Sequence, residues 1–285
     1  MPGIALICDS TADFPDEVRA GLDARIVPLN VHFGDETLRD HVDITPAQFL
    51  SRLKTSRDLP RTSQPSPALF SDAYEEAGRD HDAILVITLS SKLSGTYQSA
   101  MLGAQSAINV PPIHIVDSLN ASVGLGLQVR RARELIDTGL PVEEIVRTLE
   151  SERDAYHLIF FADTLEFLQR GGRIGKASQM LGSLLKIKPL LMVHDGEVVP
   201  YERTRSRSRA IEGLIDDARQ YPNIERMAIL HDGMTPADVQ SITTGITDRI
   251  PASAISVSQY GPIIATHVGP GALGLCVFAG AGAVR

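Results

Sequence analysis

The chain has 285 residues, 43% of them hydrophobic, and a net charge of -8, enough apolar material for one large core or two moderate ones. That negative balance argues against broad nucleic-acid binding, which needs a basic surface, and no uninterrupted apolar run is long enough for stable insertion in a bilayer. The start, MPGIALICDSTADF, lacks the basic leader of a signal peptide. Cys8 and Cys276 both lie in strand-like apolar stretches, as buried free thiols of a reducing cytoplasm do, so a cytoplasmic location is expected.

The first half alternates strand and helix signals. IALICDS (4–10) reads as a short buried strand, DFPDEVRAGL as a helix start, and ARIVPLNVHF (24–33) as one second strand. ITPAQFLSRLK places Thr45 as N-cap before Pro46, and SPALFSDAYEEAG repeats the device with Ser66 and Pro67. AILVITLS (83–90) is the strongest strand, followed by the helix TYQSAMLGAQSAI, the strand PIHIVDS (112–118), and helices LNASVGLGLQVRRARELIDTG and LPVEEIVRTLESERDAY. Strands separated by helices of this length predict βαβ units and a mainly parallel sheet.

After about residue 158 the pattern changes. LIFFAD is strand-like, a Gly-broken, Leu-rich stretch follows, and KPLLMVHDGEVVPYERT predicts a hairpin turning at His194-Asp195-Gly196. Then come a helix in RSRSRAIEGLIDDARQY, a strand in RMAILHD and a Pro-started helix in TPADVQSITTGITDRI. SAISVSQYGPIIATHVG and ALGLCVFAG read as two last strands around Gly269-Pro270-Gly271. The expected fold class is α/β with two domains: a mainly parallel N-terminal domain over 1–160 and a mixed-sheet C-terminal domain over 161–285.

Several formal motifs fail on chemistry. VGPGALG satisfies G-x-G-x-x-G, but no Asp or Glu follows Gly269 to hold a ribose, and only eleven residues follow Gly274. GGRIGKA is not a phosphate-binding loop, since Arg170 stands where its first Gly belongs and Ala177 where Ser or Thr does. The pairs His81-Asp82, His194-Asp195 and His231-Asp232 lack spaced partners, so no metal site is expected.

SSKLSGTYQSA (90–100) carries more hydroxyls than a helix start needs. Read alone it is first a helix cap. Ser94 at the amino end of a helix, with Gly95 permitting close approach, also suits an anionic group. A second reading makes Ser94 the nucleophile of a serine hydrolase with His267 as base, although the sharp G-x-S-x-G elbow is absent. RTSQPSP leaves Thr62 and Ser63 outside the following helix without a structural duty, and THVGPG puts His267 beside a turn stripped of side chains.

Taken in order, DSTADFP, RTSQPSP, SSKLSGTYQSA, DTLEFLQRGGRIGKA and HVGPGALG resemble the DegV family, over essentially the whole chain. The resemblance implies a two-domain α/β protein that binds one long-chain fatty acid, such as palmitate, at the domain interface, with no other cofactor and no catalytic residue of its own. Several members serve as the fatty-acid-binding subunit of a bacterial fatty acid kinase, so it also implies an ATP-dependent acyl kinase as partner. By motif, Thr62 and Ser94 resemble the hydroxyls that hold the carboxyl group, His267 the histidine completing that cluster, and Arg203 an arginine aiding phosphotransfer. Ser63 and Gly95 flank these positions. Arg205, Arg207 and Arg209 suit a partner surface or a solvated helix start equally. Candidate walls for the acyl chain are Leu158–Phe161, Leu165, Phe167, Leu168, Met180, Leu181, Leu184, Leu185, Ile187 and Leu190–Met192.

Overall fold

A computed structural model describes residues 3–56, 59–181, 187–233 and 236–280. The elements in chain order are β1 (Gly3–Asp9), α1 (Asp16–Gly21), β2 (Ala24–Val27), β3 (Asn30–Phe33), β4 (Glu36–Arg39), α2 (Pro46–Thr55), β5 (Arg61–Ser63), α3 (Pro67–Ala77), β6 (His81–Thr88), α4 (Thr96–Ser106), β7 (Ile113–Asp117), α5 (Ser122–Asp137) and α6 (Val142–Ser151). They continue with β8 (Tyr156–Phe161), α7 (Glu166–Arg170), β9 (Lys188–His194), β10 (Glu197–Thr204), α8 (Arg207–Ala218), β11 (Arg226–His231), α9 (Pro236–Ile246), β12 (Ile255–Gln259), α10 (Pro262–Val268) and β13 (Leu273–Phe278).

Three sheets result: a parallel sheet in the order β2-β1-β6-β7, a mixed sheet in the order β10-β9-β8-β13-β11-β12, and a small antiparallel sheet β4-β3-β5. The α/β class with a parallel first sheet and a mixed second one is therefore observed. The sheet changes between β7 and β8. All partners of β8 lie in the six-stranded sheet, so the division by sheet falls before Tyr156, earlier than 160.

Two segments differ from the sequence reading. ARIVPLNVHF is not one strand: Pro28, which has no N–H to donate, separates β2 in the parallel sheet from β3 in the small sheet. IIATHV is not a strand but α10, with Pro262 in its first turn, which puts His267 in the last helical turn. The devices at Thr45 and Ser66 form as read. Thr45 and Gln48 make a reciprocal capping box, and Ser66 accepts from the Leu69 N–H. Asp195 and Gly196, both at positive φ (49° and 77°), make the tight turn between β9 and β10.

Helix α5 sits between the two large sheets. Leu125, Val129, Ala132 and Leu135 pack into the core of the parallel sheet. Val123 and Leu127 join Leu158, Ala228 and Cys276 on the six-stranded side. Helices α3 and α4 cover the other face of the parallel sheet, through Phe70, Tyr74 and Ala100. Helices α8 and α9 cover the far face of the six-stranded sheet, through Ala210, Leu214 and Ile242. Both cysteines are buried and free, and burial pushes both thiols up, which keeps them protonated. Among the described residues, no helix is long and apolar enough to cross a membrane.

Candidate functional site

The loops after β1 and β6 leave neighbouring parallel strands where the strand order reverses, the usual ligand position in open α/β sheets. Here the loop after β6 faces the six-stranded sheet, and its Leu89, Leu93 and Ser94 line a cavity of about 280 Å³. Its walls are mostly aliphatic: Leu29, Leu89 and Leu93 from the first half, Leu158, Phe160, Val193, Val198 and Leu230 from the second sheet, and Ile263, Ile264 and Val268 from α10. Strand alternation explains the split of LIFF. Leu158 and Phe160 face the cavity, while Ile159 and Phe161 pack under α8 and α9. Leu168 also lines the cavity, whereas Leu165, Met180 and Leu191 pack in an adjoining core. Leu184 and Leu185 lie outside the described residues.

One end of the cavity is polar. Thr62, on the short strand β5, reaches His267 on α10: Thr62 Oγ1 and His267 Nε2 are 2.9 Å apart and hydrogen-bonded. The small sheet aims Thr62 there through the register Val31↔Thr62. Ser63 and Ser94 line the same cavity. Ser63 Oγ is bonded to His32 Nε2 at 2.9 Å. Ser94 Oγ is bonded to Thr96 Oγ1 at 2.9 Å and accepts from the Thr96 N–H at 3.3 Å. Gly95 is the N-cap residue of α4 and does not line the cavity. A side chain there would strike the Gln64 carboxamide 2.4 Å away, and Gln64 is itself a wall residue.

The sequence reading passed over Arg173, between the glycines of RGGRIG. It lines the polar end, with Nε donating to the Leu93 carbonyl at 2.9 Å and Nη1 to the Gly171 carbonyl at 2.7 Å. Its signal was an arginine among Gly171, Gly172 and Gly175, the last two at positive φ. Gly171 brings the backbone against His267, since a Cβ there would lie 2.3 Å from Nδ1. Burial, with Arg173 adding to it, pushes His267 down to about 4, so the imidazole is neutral near pH 7. Its Nδ1 has no hydrogen-bond partner.

Thr62, Arg173 and His267 also border a second recess of about 360 Å³, shared with Arg61, Arg170, Phe167 and Gly171. The three polar residues thus form a partition between an apolar cavity and a basic one. Tyr260, fully buried, donates to the Gly269 carbonyl at 2.9 Å and fixes the end of α10. Gly269 and Gly271 adopt φ of 74° and 80°, with Phe167 and Asp163 packed where side chains would stand.

The hydrolase arrangement does not form. The Ser94 hydroxyl bonds Thr96 rather than His267, and no acid orients the imidazole at Nδ1. Arg203 is not brought to the cluster. It is exposed on β10, donates to the Gln179 carbonyl at 3.2 Å and borders a surface depression with Arg205, Arg209 and Glu212. Arg207 serves the fold instead, donating to the Gly271 carbonyl at 2.9 Å and lying over the Phe161 ring. Among the described residues there is no His/Cys/Asp/Glu group able to hold a metal ion.

The model for the family described as "Uncharacterised protein, DegV family" matches residues 3–280. The chain belongs to the DegV family. A DegV domain-containing protein of Deinococcus radiodurans is 37% identical over 277 residues, covering 96% of this chain and 98% of that one. A Thermotoga maritima relative named fatty acid-binding protein is 34% identical, covering 95% of this chain and 96% of that one. The solved structure described as fatty acid binding of a DegV family protein from Thermus thermophilus superposes with a TM-score of 0.90 at 36% identity, covering 97% of this chain and 99% of that one.

Proposed function

We infer that this protein binds one long-chain fatty acid in the cytoplasm. The acyl chain lies in the aliphatic cavity between the sheets, and the carboxyl group is held by Thr62, Ser94 and His267, with Arg173 and Ser63 beside them. The observation that carries this reading is an apolar cavity that ends on the Thr62–His267 hydrogen bond. The fatty-acid-binding relatives from Thermotoga maritima and Thermus thermophilus support it. A chain such as palmitate brings about fourteen methylenes and a methyl, each methylene worth ~0.8 kcal/mol when removed from water. Much of that is offset by the cost of immobilising the ligand. Affinity then comes from the chain, and the polar end fixes position.

The partition supplies the second half of the reading: the carboxylate is presented to a separate ATP-dependent acyl kinase. Neutral hydroxyls and a neutral imidazole hold the oxygens without quenching their nucleophilicity, and Arg173 spends two of its donors on backbone carbonyls. Beyond the partition, Arg61 and Arg170 give the recess a charge suited to phosphate. Arg203, exposed and away from the cavity, contacts the partner.

Organic extraction of the purified protein, followed by mass spectrometry, tests the ligand. Near-equal amounts of fatty acid and protein are expected, and absence of lipid even after incubation with palmitate would sink the proposal. The kinase role is tested by trapping acyl phosphate as its hydroxamate with ATP and a purified acyl kinase of this class. Arg203→Ala is expected to lower that product while leaving palmitate binding unchanged. Equal product from both proteins removes Arg203 from the partner surface.

A further inference from the structure

The motif DSTAD, residues 9–13, contributes nothing to the walls of the cavity, yet each of its residues is at most 3% exposed. Buried polar side chains are tolerated when hydrogen-bonded, so the destinations of their bonds are informative. Asp9 Oδ2 accepts from the Leu89 N–H at 2.7 Å, where the chain enters the loop carrying Ser94. Ser10 Oγ accepts from the Leu29 N–H at 3.0 Å, one residue before β3, the strand that aligns Thr62. The same hydroxyl donates to Asp40 Oδ2 at 2.7 Å, directly after β4 on the other side of β3. Asp13 Oδ1 accepts from the Gly261 N–H at 2.8 Å, the N-cap of the helix that carries His267 in its last turn. Asp13 Oδ2 accepts from Ser122 Oγ at 2.6 Å, a cavity-wall residue held at a φ of 52°. Thr11 bonds back to Asp9 through both its N–H and its hydroxyl, at 3.0 and 2.6 Å, which holds that carboxyl still.

Three side chains of this loop thus reach the start of the loop bearing Ser94, the N-cap of the helix bearing His267 and the flanks of β3, which pairs with the strand bearing Thr62, and these segments come from opposite halves of the chain. We propose that the Asp9–Asp13 loop is the common anchor that sets the spacing of the head-group cluster, with Asp9, Ser10 and Asp13 as its positioning residues. This rests on the reading of Thr62, Ser94 and His267 as the carboxyl-binding cluster. Asp13 is the decisive member, because its carboxylate hydrogen-bonds the N-cap of α10 directly. An Asn at 13 keeps an oxygen for the Gly261 N–H, and an Ala keeps none.

Three readouts separate positioning from bulk stability: the imidazole 15N signals of His267 in ligand-free protein, assigned with His267→Gln; the carboxyl 13C signal of bound [1-13C]palmitate; and the affinities for palmitate and for hexadecane, which has the chain without the head. Asp13→Ala is expected to move both signals and to weaken palmitate binding about tenfold, the scale of one lost hydrogen bond, while hexadecane binding stays the same. Asp13→Asn restores most of the loss. If Asp13→Ala does not fold, Ser10→Ala carries the test through the β3 limb with the carboxyl signal and the two affinities. Unmoved signals with an unchanged palmitate-to-hexadecane ratio overturn the proposal, as does an equal loss for both ligands. A wild-type protein that binds no palmitate, but whose His267 signals shift in Asp13→Ala, overturns the ligand reading and keeps the anchor.

Discussion

At the residue scale, the cluster depends on small distances that a single methyl group can upset. Gly171 has an ordinary backbone conformation, so its lack of a side chain matters only because His267 Nδ1 would lie 2.3 Å from a Cβ. Gly171→Ala is expected to swing the imidazole off Thr62 and weaken palmitate binding about tenfold, the worth of one hydrogen bond. Titration calorimetry checks it, and unchanged affinity would show that the ring has room to yield. The double variant Thr62→Ala with Ser94→Ala removes two hydroxyl partners at roughly 1 kcal/mol each, so palmitate affinity is expected to fall about 30-fold. Hexadecane binding should stay level, and an equal loss for both ligands would count against these hydroxyls as head-group donors. In the sequence Thr62 and Ser63 stood out as small polar residues outside the following helix, Ser94 read first as a helix cap and His267 sat beside a Gly-Pro-Gly turn. Only the resemblance to the DegV family joined them, and the fold brings all four to one cavity. Arg173 was not legible, because a lone arginine among glycines has no pattern until the fold turns it inward.

At the scale of elements, the two halves meet at the tip of the β9–β10 hairpin. Ser90 Oγ donates to the Gly196 carbonyl at 2.8 Å, and a Cβ on Gly196 would lie 2.4 Å from that oxygen. Gly196→Ala therefore meets both a steric clash and a left-handed φ of 77°, and about 2 kcal/mol of lost stability is expected. Chemical denaturation reads it directly. Ser90→Ala leaves a buried carbonyl unpaired and should cost about 1–3 kcal/mol. The Asp-Gly turn was legible from its dipeptide. The helix α10 was not: IIATHV is β-branched and apolar enough to read as a strand, and only the pairing of β13 with β8 and β11 leaves it outside the sheet. The break at Pro28 was visible as a residue, but its consequence, two strands in two sheets, follows from tertiary pairing alone.

At the scale of the whole molecule, buried titrating groups give the fold a dependence on pH with two opposing contributions. Burial pushes Asp9 up to about 6 and Asp13 up to about 7, from 3.8. Their folded forms keep protons that the unfolded chain has released. This contribution is fully present below about 3.8 and is lost as pH rises through 6 to 7. His267 has the opposite sign: lowered from 6.5 to about 4, it contributes above 6.5 and loses that contribution as pH falls through 4. The stability difference between wild type and Asp13→Asn is therefore expected to shrink from pH 5 to pH 8 in urea titrations. His267→Gln should leave that trend in place, and a difference that grows with pH would reverse the assignment.

The position of α5 has a consequence for how the chain folds. Its opposite faces complete the cores of both large sheets, so a fragment ending before β8 would leave Val123 and Leu127 facing water, and one starting there would lack them. Neither half encloses a finished interior without this shared helix. Heat unfolding should accordingly be one cooperative event in which both sheets melt together, with calorimetric and van't Hoff enthalpies in agreement.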